Sequence, residues 1–277
     1  MKLTNIMFSL RRALFVQPLG MTRSMLRGKL RPRQTAGHQA LLVPPIDIRY
    51  GIDTAGLIPA SALRTGSSSD LYNFGYAGSQ PSIIRQVLAK IPDLDQANFI
   101  DIGCGKGRAL AVATEYPFRK IVGVELSPEL VETAKMNAMV LHDKFPERTF
   151  IDLHCQDALT FDFPVGYNVV YFYNPAYEGL LRKLAIKIAE HAARPGNKTV
   201  VIYYNPAFGR VFEENPAFDR FYADRLRMDD DDAAASEFGN LEESVIIWQS
   251  GEPRLHPHPG ADARLRIVAG GAAAVVG

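Results

Sequence analysis

Hydrophobic positions between residues 81 and 249 follow two alternating patterns. Short apolar runs, typical of buried strands, are separated by stretches in which apolar residues recur every three or four positions, as on one face of a helix. The runs predict strands at 99–102, 121–124, 150–155, 168–173, 199–204, 218–226 and 243–249. The helical pattern covers 81–91, 108–116, 128–141 and 180–189. This alternation predicts an α/β domain with a mainly parallel sheet.

A glycine-rich turn follows the first predicted strand directly. Gly103, Gly105 and Gly107 allow the backbone to turn sharply and to approach a ligand closely, beside the start of the next helix. Glu125 closes the second strand about 22 residues after Gly103, where nucleotide-binding βαβ units place the acid that holds ribose hydroxyls. The stretch therefore predicts a nucleotide site.

The spacing of the turn narrows the choice of nucleotide. In the dinucleotide fingerprint GxGxxG the third glycine would fall at position 108, which is Arg108, so the spacing here is GxGxG. The sequence also lacks the Gly-Lys-Ser/Thr that closes a phosphate-binding loop. Asp101, two residues before Gly103, would repel a pyrophosphate but suits a cation. A positively charged ligand that carries a ribose and lacks phosphate fits best, and S-adenosylmethionine has these properties.

Two motifs resemble those of class I S-adenosylmethionine-dependent methyltransferases. The run 101–108 (Asp-Ile-Gly-Cys-Gly-Lys-Gly-Arg) is similar to their first motif, and 122–128 (Val-Gly-Val-Glu-Leu-Ser-Pro) to their second. The resemblance extends over about 76–249 and implies a doubly wound, mainly parallel seven-stranded sheet, the Rossmann-like fold of this class, with its last strand antiparallel between strands five and six. It implies a cofactor site made of Tyr76, Asp101, Gly103, Cys104, Gly105, Gly107, Glu125, Leu126, Asp157, Ala158 and Asn174.

The end of the fourth predicted strand carries candidate catalytic residues. Asn174-Pro175-Ala176-Tyr177 resembles the Asn-Pro-Pro-Tyr signature of amino-group methyltransferases, with Ala176 in place of the second proline. In that signature the Asn oxygen and the Pro carbonyl accept hydrogen bonds from the target amine, and the aromatic ring stacks on it. Asn174, Pro175 and Tyr177 are thus the expected catalytic residues, although a simple break between strand and helix explains the same letters. A looser resemblance is to bacterial methyltransferase-like proteins related to the histone-lysine (Dot1-like) and mitochondrial lysine methyltransferases.

Composition and charge exclude several classes. The 277 residues carry a net charge of +1, which gives no general reason to expect nucleic-acid binding. Cys104 and Cys155 are too few for a disulfide framework or a dedicated zinc site, so no metal is expected. No run reaches the roughly 18 apolar residues of a membrane span, which makes the cytoplasm the expected compartment.

The chain divides into four expected parts. Residues 1–40 are basic and read as a solvated, partly disordered extension, with contact to an anionic membrane surface, RNA binding or a targeting leader as alternatives. Residues 41–75 form a cap segment, in which Tyr50, Asp53 and Thr54 are candidates to cover the cofactor. Residues 76–250 form the methyltransferase domain, including an acidic run at 229–232 that is expected to be a solvated loop. Residues 251–277 are an Ala/Gly-rich tail, which is expected to be disordered from Gly260 onward.

The leading functional prediction is methyl transfer from S-adenosylmethionine to an amino group, or less favourably a hydroxyl group, of a protein lysine or a small molecule. Two alternatives stay open. One is a binding or scaffold protein that keeps the methyltransferase fold without its activity. The other is an NAD(P)-dependent oxidoreductase, which Asp101 and the glycine spacing disfavour.

Overall fold

A computed structural model describes residues 43–63, 65–66, 75–236 and 239–256, together with the backbone of 265–267 and 273–275. The predicted basic extension at 1–40 lies outside these ranges. In the described part of the chain, no helix is long and apolar enough to cross a membrane.

Seven strands form one sheet in the order β3-β2-β1-β4-β5-β7-β6. They are β1 (Ala97–Ile102), β2 (Lys120–Glu125), β3 (Ile151–Cys155), β4 (Tyr167–Tyr173), β5 (Lys198–Tyr204), β6 (Asp219–Arg227) and β7 (Glu242–Gly251). β1 to β5 are parallel, and β7 runs antiparallel to both β5 and β6. The expected doubly wound, mainly parallel seven-stranded fold is confirmed, including the insertion of the last strand.

Helices cover both faces of the sheet, and each face has its own apolar core. The helices are α1 (Pro45–Tyr50), α2 (Pro81–Leu88), α3 (Arg108–Ala113), α4 (Pro128–Lys144), α5 (Glu178–Ala192), α6 (Arg210–Glu213) and α7 (Asp230–Ala234). α1 to α4 pack on one face, and α5 and α6 on the other. Pro81 opens α2 as predicted, and Ser127 caps α4 through a side-chain bond from the Leu130 amide.

Two elements differ from the sequence-based expectation. α3 ends at Ala113 rather than Tyr116, because Tyr116 precedes Pro117 and a residue before proline avoids the helical conformation. α1 lies in the cap segment, outside the stretches where the hydrophobic pattern predicts helices. Pro45 opens it, and Gly51 ends it in the left-handed conformation with φ of 74°.

The acidic run at 229–232 begins a helix instead of forming a loop, and one of its four side chains, that of Asp232, is buried. Asp229 caps α7 by accepting the Asp232 amide. Asp232 accepts a hydrogen bond from the backbone N–H of Ser82 in the first turn of α2. This carboxylate therefore satisfies a helix N-terminus, where backbone N–H groups lack partners and negative charge is favoured.

The tail also holds regular structure, contrary to its expected disorder. β8 (Leu265–Ile267) and β9 (Ala273–Val275) pair as an antiparallel ladder. The two strands form a sheet separate from the main one.

Candidate active site

A cavity opens where the strand order reverses, at the carboxyl ends of β1 and β4. Its volume is about 1110 Å³ including the open mouth, and its walls come from the ends of β1 to β4 and from residues 75–79. In open α/β sheets this switch point is where ligands bind, because the helices on the two sides diverge there. Of the expected site residues, the cavity wall includes Tyr76, Asp101, Gly103, Cys104, Gly105, Glu125, Leu126, Asp157, Ala158, Asn174 and Pro175.

The glycine turn adopts a conformation that other residues rarely take. Gly103, Gly105 and Gly107 have φ of 77°, 55° and 86°. Gly107 directly precedes α3. A Cβ added to it would contact Leu110 and Ala134, so this glycine points away from the cavity.

Glu125 holds the turn in place through its carboxylate. One oxygen accepts the Gly105 N–H at 3.0 Å, and the other accepts the N–H groups of Leu126 and Ser127 at 2.8 and 2.9 Å. Burial raises the pKa of Glu125, and these backbone bonds oppose that effect. A carboxylate has about four acceptor positions, so one remains for a ligand hydroxyl.

Asp101 is a buried carboxylate on the cavity wall, with 4% of its surface exposed. Within the described ranges no donor forms a hydrogen bond or ion pair with it. Burial raises its pKa well above the usual range, and the nearby charge of Glu125 raises it further. A carboxyl group with a raised pKa ionises more readily beside a cation, so Asp101 and Glu125 favour a positively charged ligand in this poorly solvated cavity.

Tyr76 forms a wall over the glycine turn. A Cβ on Gly105 would overlap the Tyr76 ring, so the ring lies directly on the Gly105 backbone. An isolated β-bridge to Ile58 fixes the Tyr76 backbone, and the Tyr76 hydroxyl donates to the Thr54 carbonyl at 2.7 Å.

The cap segment holds this wall from the outside. None of Tyr50, Asp53 and Thr54 lines the cavity, so within the described structure they do not cover a cofactor as expected. Asp53 instead exchanges backbone bonds of 2.8 Å with the Asn137 amide of α4, and its carboxylate pairs with Lys106. The segment acts as a strap behind the glycine turn.

Asp157 and Ala158 line the cavity beyond the end of β3. The Asp157 carboxylate accepts the Leu159 amide at 2.8 Å, which is an Asx turn, the structural explanation of an aspartate at a strand end. This turn fixes the carboxylate at the end of the cavity farthest from β4.

The segment after β4 combines a strained backbone with a tightly held side chain. Asn174 has φ of 42°, and its side-chain oxygen accepts the Tyr203 hydroxyl at 2.9 Å and the Ala207 amide at 3.3 Å. The oxygen expected to receive a target amine is therefore already bonded. Pro175 lies over Gly103, whereas the Tyr177 ring lies outside the cavity wall, 6.2 Å from the Phe208 ring.

Residues 99–191 match the family model of the methyltransferase domain. This match covers about a third of the chain, and over that region the chain is similar to methyltransferases. S-adenosylmethionine is the cofactor of this family. The matched region spans β1 to α5 and so contains the glycine turn, Glu125, Asp157 and Asn174.

Two curated relatives are similar over a short stretch. They are the trans-aconitate 2-methyltransferases of Azoarcus sp. (34% identical over 61 residues) and Afipia carboxidovorans (33% over 69 residues). The matches cover 22% and 24% of this chain. They span about a quarter of each relative's length, 24% in both.

Solved structures of methyltransferases are similar to this chain over 62–66% of its length. The methyltransferase domain of bacterial CtHen1-C is 21% identical, with a TM-score of 0.45 over 62% of this chain and 98% of that one. The RNA methyltransferase from Salinibacter ruber, in complex with S-adenosyl-L-homocysteine, is 18% identical, with a TM-score of 0.41 over 66% and 99%.

The cavity includes residues that the sequence did not single out as site residues. Arg108, Ser79, Gln156, Tyr171 and Tyr173 all line it. Tyr171 and Tyr173 are two positions apart on β4, so they share one face of the sheet with Asp101, which pairs with Tyr171 in the register. Strand alternation could have identified both tyrosines, whereas no pattern in the sequence indicates Ser79.

Proposed function

We propose that this protein transfers a methyl group from S-adenosylmethionine to an amino group of its acceptor. The observation that carries the proposal is Asp101, a buried carboxylate without a partner among the described residues, at the switch point of a methyltransferase domain. A sulfonium or ammonium group supplies the missing counter-charge, whereas a pyrophosphate is repelled.

The polar groups of the cavity follow the order of the strands. Asp157 lies beyond β3, Glu125 ends β2, and Asp101 lies on β1. We assign these groups to adenine, ribose and the amino-acid end in turn, with the methyl group directed towards the end of β4. Positioning is the main requirement for such a transfer, because the sulfonium is already activated.

The balance of charge on the wall favours an amine acceptor. The described lining holds the carboxyl groups of Asp101, Glu125 and Asp157, with Arg108 as its basic residue. It contains neither His nor Lys, so no such base is at hand. The acceptor nitrogen must arrive neutral: its lone pair attacks the methyl carbon, the sulfur–carbon bond breaks, and the product loses a proton.

A second candidate is transfer to a carboxylate oxygen. Because the Asn174 oxygen already accepts two hydrogen bonds, the side chain has only its NH₂ group to offer a substrate. This group is a donor, which suits an acceptor oxygen. The two partial relatives are named for methylation of trans-aconitate, an acid. The negative wall disfavours a substrate with several carboxylates, so this candidate ranks second.

Calorimetric titration with S-adenosylhomocysteine, with NADH as control, tests the cofactor assignment. We expect binding of the first ligand alone; binding of NADH alone supports an oxidoreductase. Labelled methyl donor is then offered with pools of proteins, amines and organic acids. Label released by mild alkali as methanol indicates a methyl ester. Label that survives lies on nitrogen or on an ether oxygen, and mass spectrometry of the product distinguishes these two.

Cofactor binding without transfer to any pool supports a scaffold role. A cytoplasmic location and a protein-lysine or small-molecule acceptor belong to the same proposal. The two free cysteines, Cys104 buried and Cys155 exposed, are consistent with a reducing compartment.

A further inference from the structure

Arg108 is a buried arginine on the wall of the cavity, with 3% of its surface exposed. It is the first residue of α3, directly after the glycine turn. Its guanidinium lies against Gly78, where any Cβ would overlap it. Gly78 also lines the cavity, so the guanidinium sits at the cavity boundary rather than in the core.

A chain of hydrogen bonds fixes the orientation of this guanidinium. Its Nε donates to the Thr54 hydroxyl at 2.8 Å, and its Nη2 donates to the Thr54 carbonyl at 2.6 Å. Thr54 has no exposed surface, and its amide and hydroxyl donate to the two carboxylate oxygens of Asp47 at 2.7 and 2.5 Å. Asp47 therefore lies behind Thr54 and balances the buried positive charge from the side away from the cavity.

The same bonds leave part of the guanidinium without a protein partner. A guanidinium has five N–H donors in a fixed fork, and Thr54 engages one on Nε and one on Nη2. Across the described ranges, no acceptor bonds to Nη1. A buried, permanently charged group with unused donors on a cavity wall is suited to an anion, most of all to a carboxylate.

The position of Arg108 identifies which anion. In the order given above, adenine and ribose occupy the ends of β3 and β2, which leaves the amino-acid end of the cofactor beside Asp101 and Arg108. That end is a zwitterion, and these two side chains have the complementary charges. Tyr171, which pairs in register with Asp101, is also buried there.

We propose that Arg108 binds the α-carboxylate of the methionine moiety of S-adenosylmethionine, and that Asp47 and Thr54 position it for this contact. The inference rests on the proposed cofactor and adds the residue that recognises its anionic end. Asp47 and Thr54 then have a function at the site although neither lines the cavity, because they hold the arginine that does.

The test compares S-adenosylhomocysteine with its decarboxylated analogue, which keeps the adenosine, the sulfur and the amine. Calorimetry on the full chain should give tighter binding of the carboxylate-bearing ligand by about 10- to 100-fold, the range for hydrogen bonds to charged groups. Arg108→Met should abolish that preference, weakening the first ligand by the same factor and the analogue by less than about 2-fold.

Lys106→Met is the matched control. Lys106 is the other cation of the glycine turn, but it pairs with Asp53 and the Ala55 carbonyl and does not line the cavity. This variant should keep the preference. Asp47→Asn should reduce the preference without changing the affinity for the analogue, since a positioning residue acts only through Arg108.

The outcomes separate the inference from the function. Equal affinity of the natural chain for both ligands overturns the carboxylate contact while leaving the cofactor assignment intact. Equal weakening of both ligands in Arg108→Met makes the arginine a purely structural tie. Binding of neither ligand overturns the proposed function, and the carboxylate contact with it. If Arg108→Met does not fold, the affinities of the natural chain and of Asp47→Asn for the two ligands still test the carboxylate contact.

Discussion

Replacing Gly105 by alanine tests the geometry of the glycine turn most directly. An alanine at φ of 55° adopts the left-handed conformation, which costs about 1–2 kcal/mol. Its Cβ would overlap the Tyr76 ring, which must move by about 1 Å to reach ordinary contact. That shift breaks the 2.7 Å bond from the Tyr76 hydroxyl to Thr54, worth about 1 kcal/mol.

The sum is a loss of about 2–3 kcal/mol in the free energy of unfolding. For a domain of this size it lowers the melting temperature by roughly 4–12 °C. Thermal denaturation followed by circular dichroism measures this shift. Calorimetry with S-adenosylhomocysteine should show weaker binding in the same variant, because the displaced ring is part of the cavity wall.

Gly196→Ala provides the control for backbone strain alone. Gly196 has φ of 81°, and nothing lies within 4 Å of its added Cβ. This variant should lose only the conformational part and keep its ligand affinity. In a Tyr76→Ala background, Gly105→Ala should cost no more than Gly196→Ala does. If Gly105→Ala matches the control in both stability and affinity, the proposed contact between ring and turn is refuted.

Two further predictions concern the acceptor side and the pH dependence. Asn174→Gly keeps the left-handed backbone but removes the side chain held by Tyr203 and Ala207. Single-turnover kinetics should show slower methyl transfer, with nearly unchanged affinity for S-adenosylhomocysteine. A large loss of that affinity would instead assign Asn174 to the cofactor pocket. Burial and the charge of Glu125 raise the pKa of Asp101 in the free protein, whereas a bound ammonium favours the ionised carboxylate, so affinity should increase as pH rises through that raised pKa and binding below it should release a proton. Calorimetry in buffers of different protonation enthalpy measures the proton, and Asp101→Asn should abolish both the release and the pH dependence.

The sequence alone determined the architecture and the location of the site. Apolar runs of strand length and helical periodicity specify local structure, and these periods alternate regularly from Pro81 to Gln249. Part of the site could be predicted because its residues lie within one βαβ unit, where the spacing along the chain fixes the distances in the fold. These residues are the glycines at 103, 105 and 107 and the acids at 101 and 125. The insertion of β7 followed from the family resemblance rather than from any local pattern.

Tertiary structure decided which partners those residues meet. Asp232 looked like a solvated charge until α7 placed it under the first turn of α2, and the Asn174 oxygen looked available until β5 brought Tyr203 beside it. The hydrogen bond between Thr54 and Arg108 joins residues 54 positions apart, and the local sequence around neither residue predicts it. Long-range hydrogen bonds depend on how the strap, the glycine turn and the sheet pack together, so only the folded chain shows that a buried arginine, held by Thr54 and Asp47, stands at the wall of the cavity.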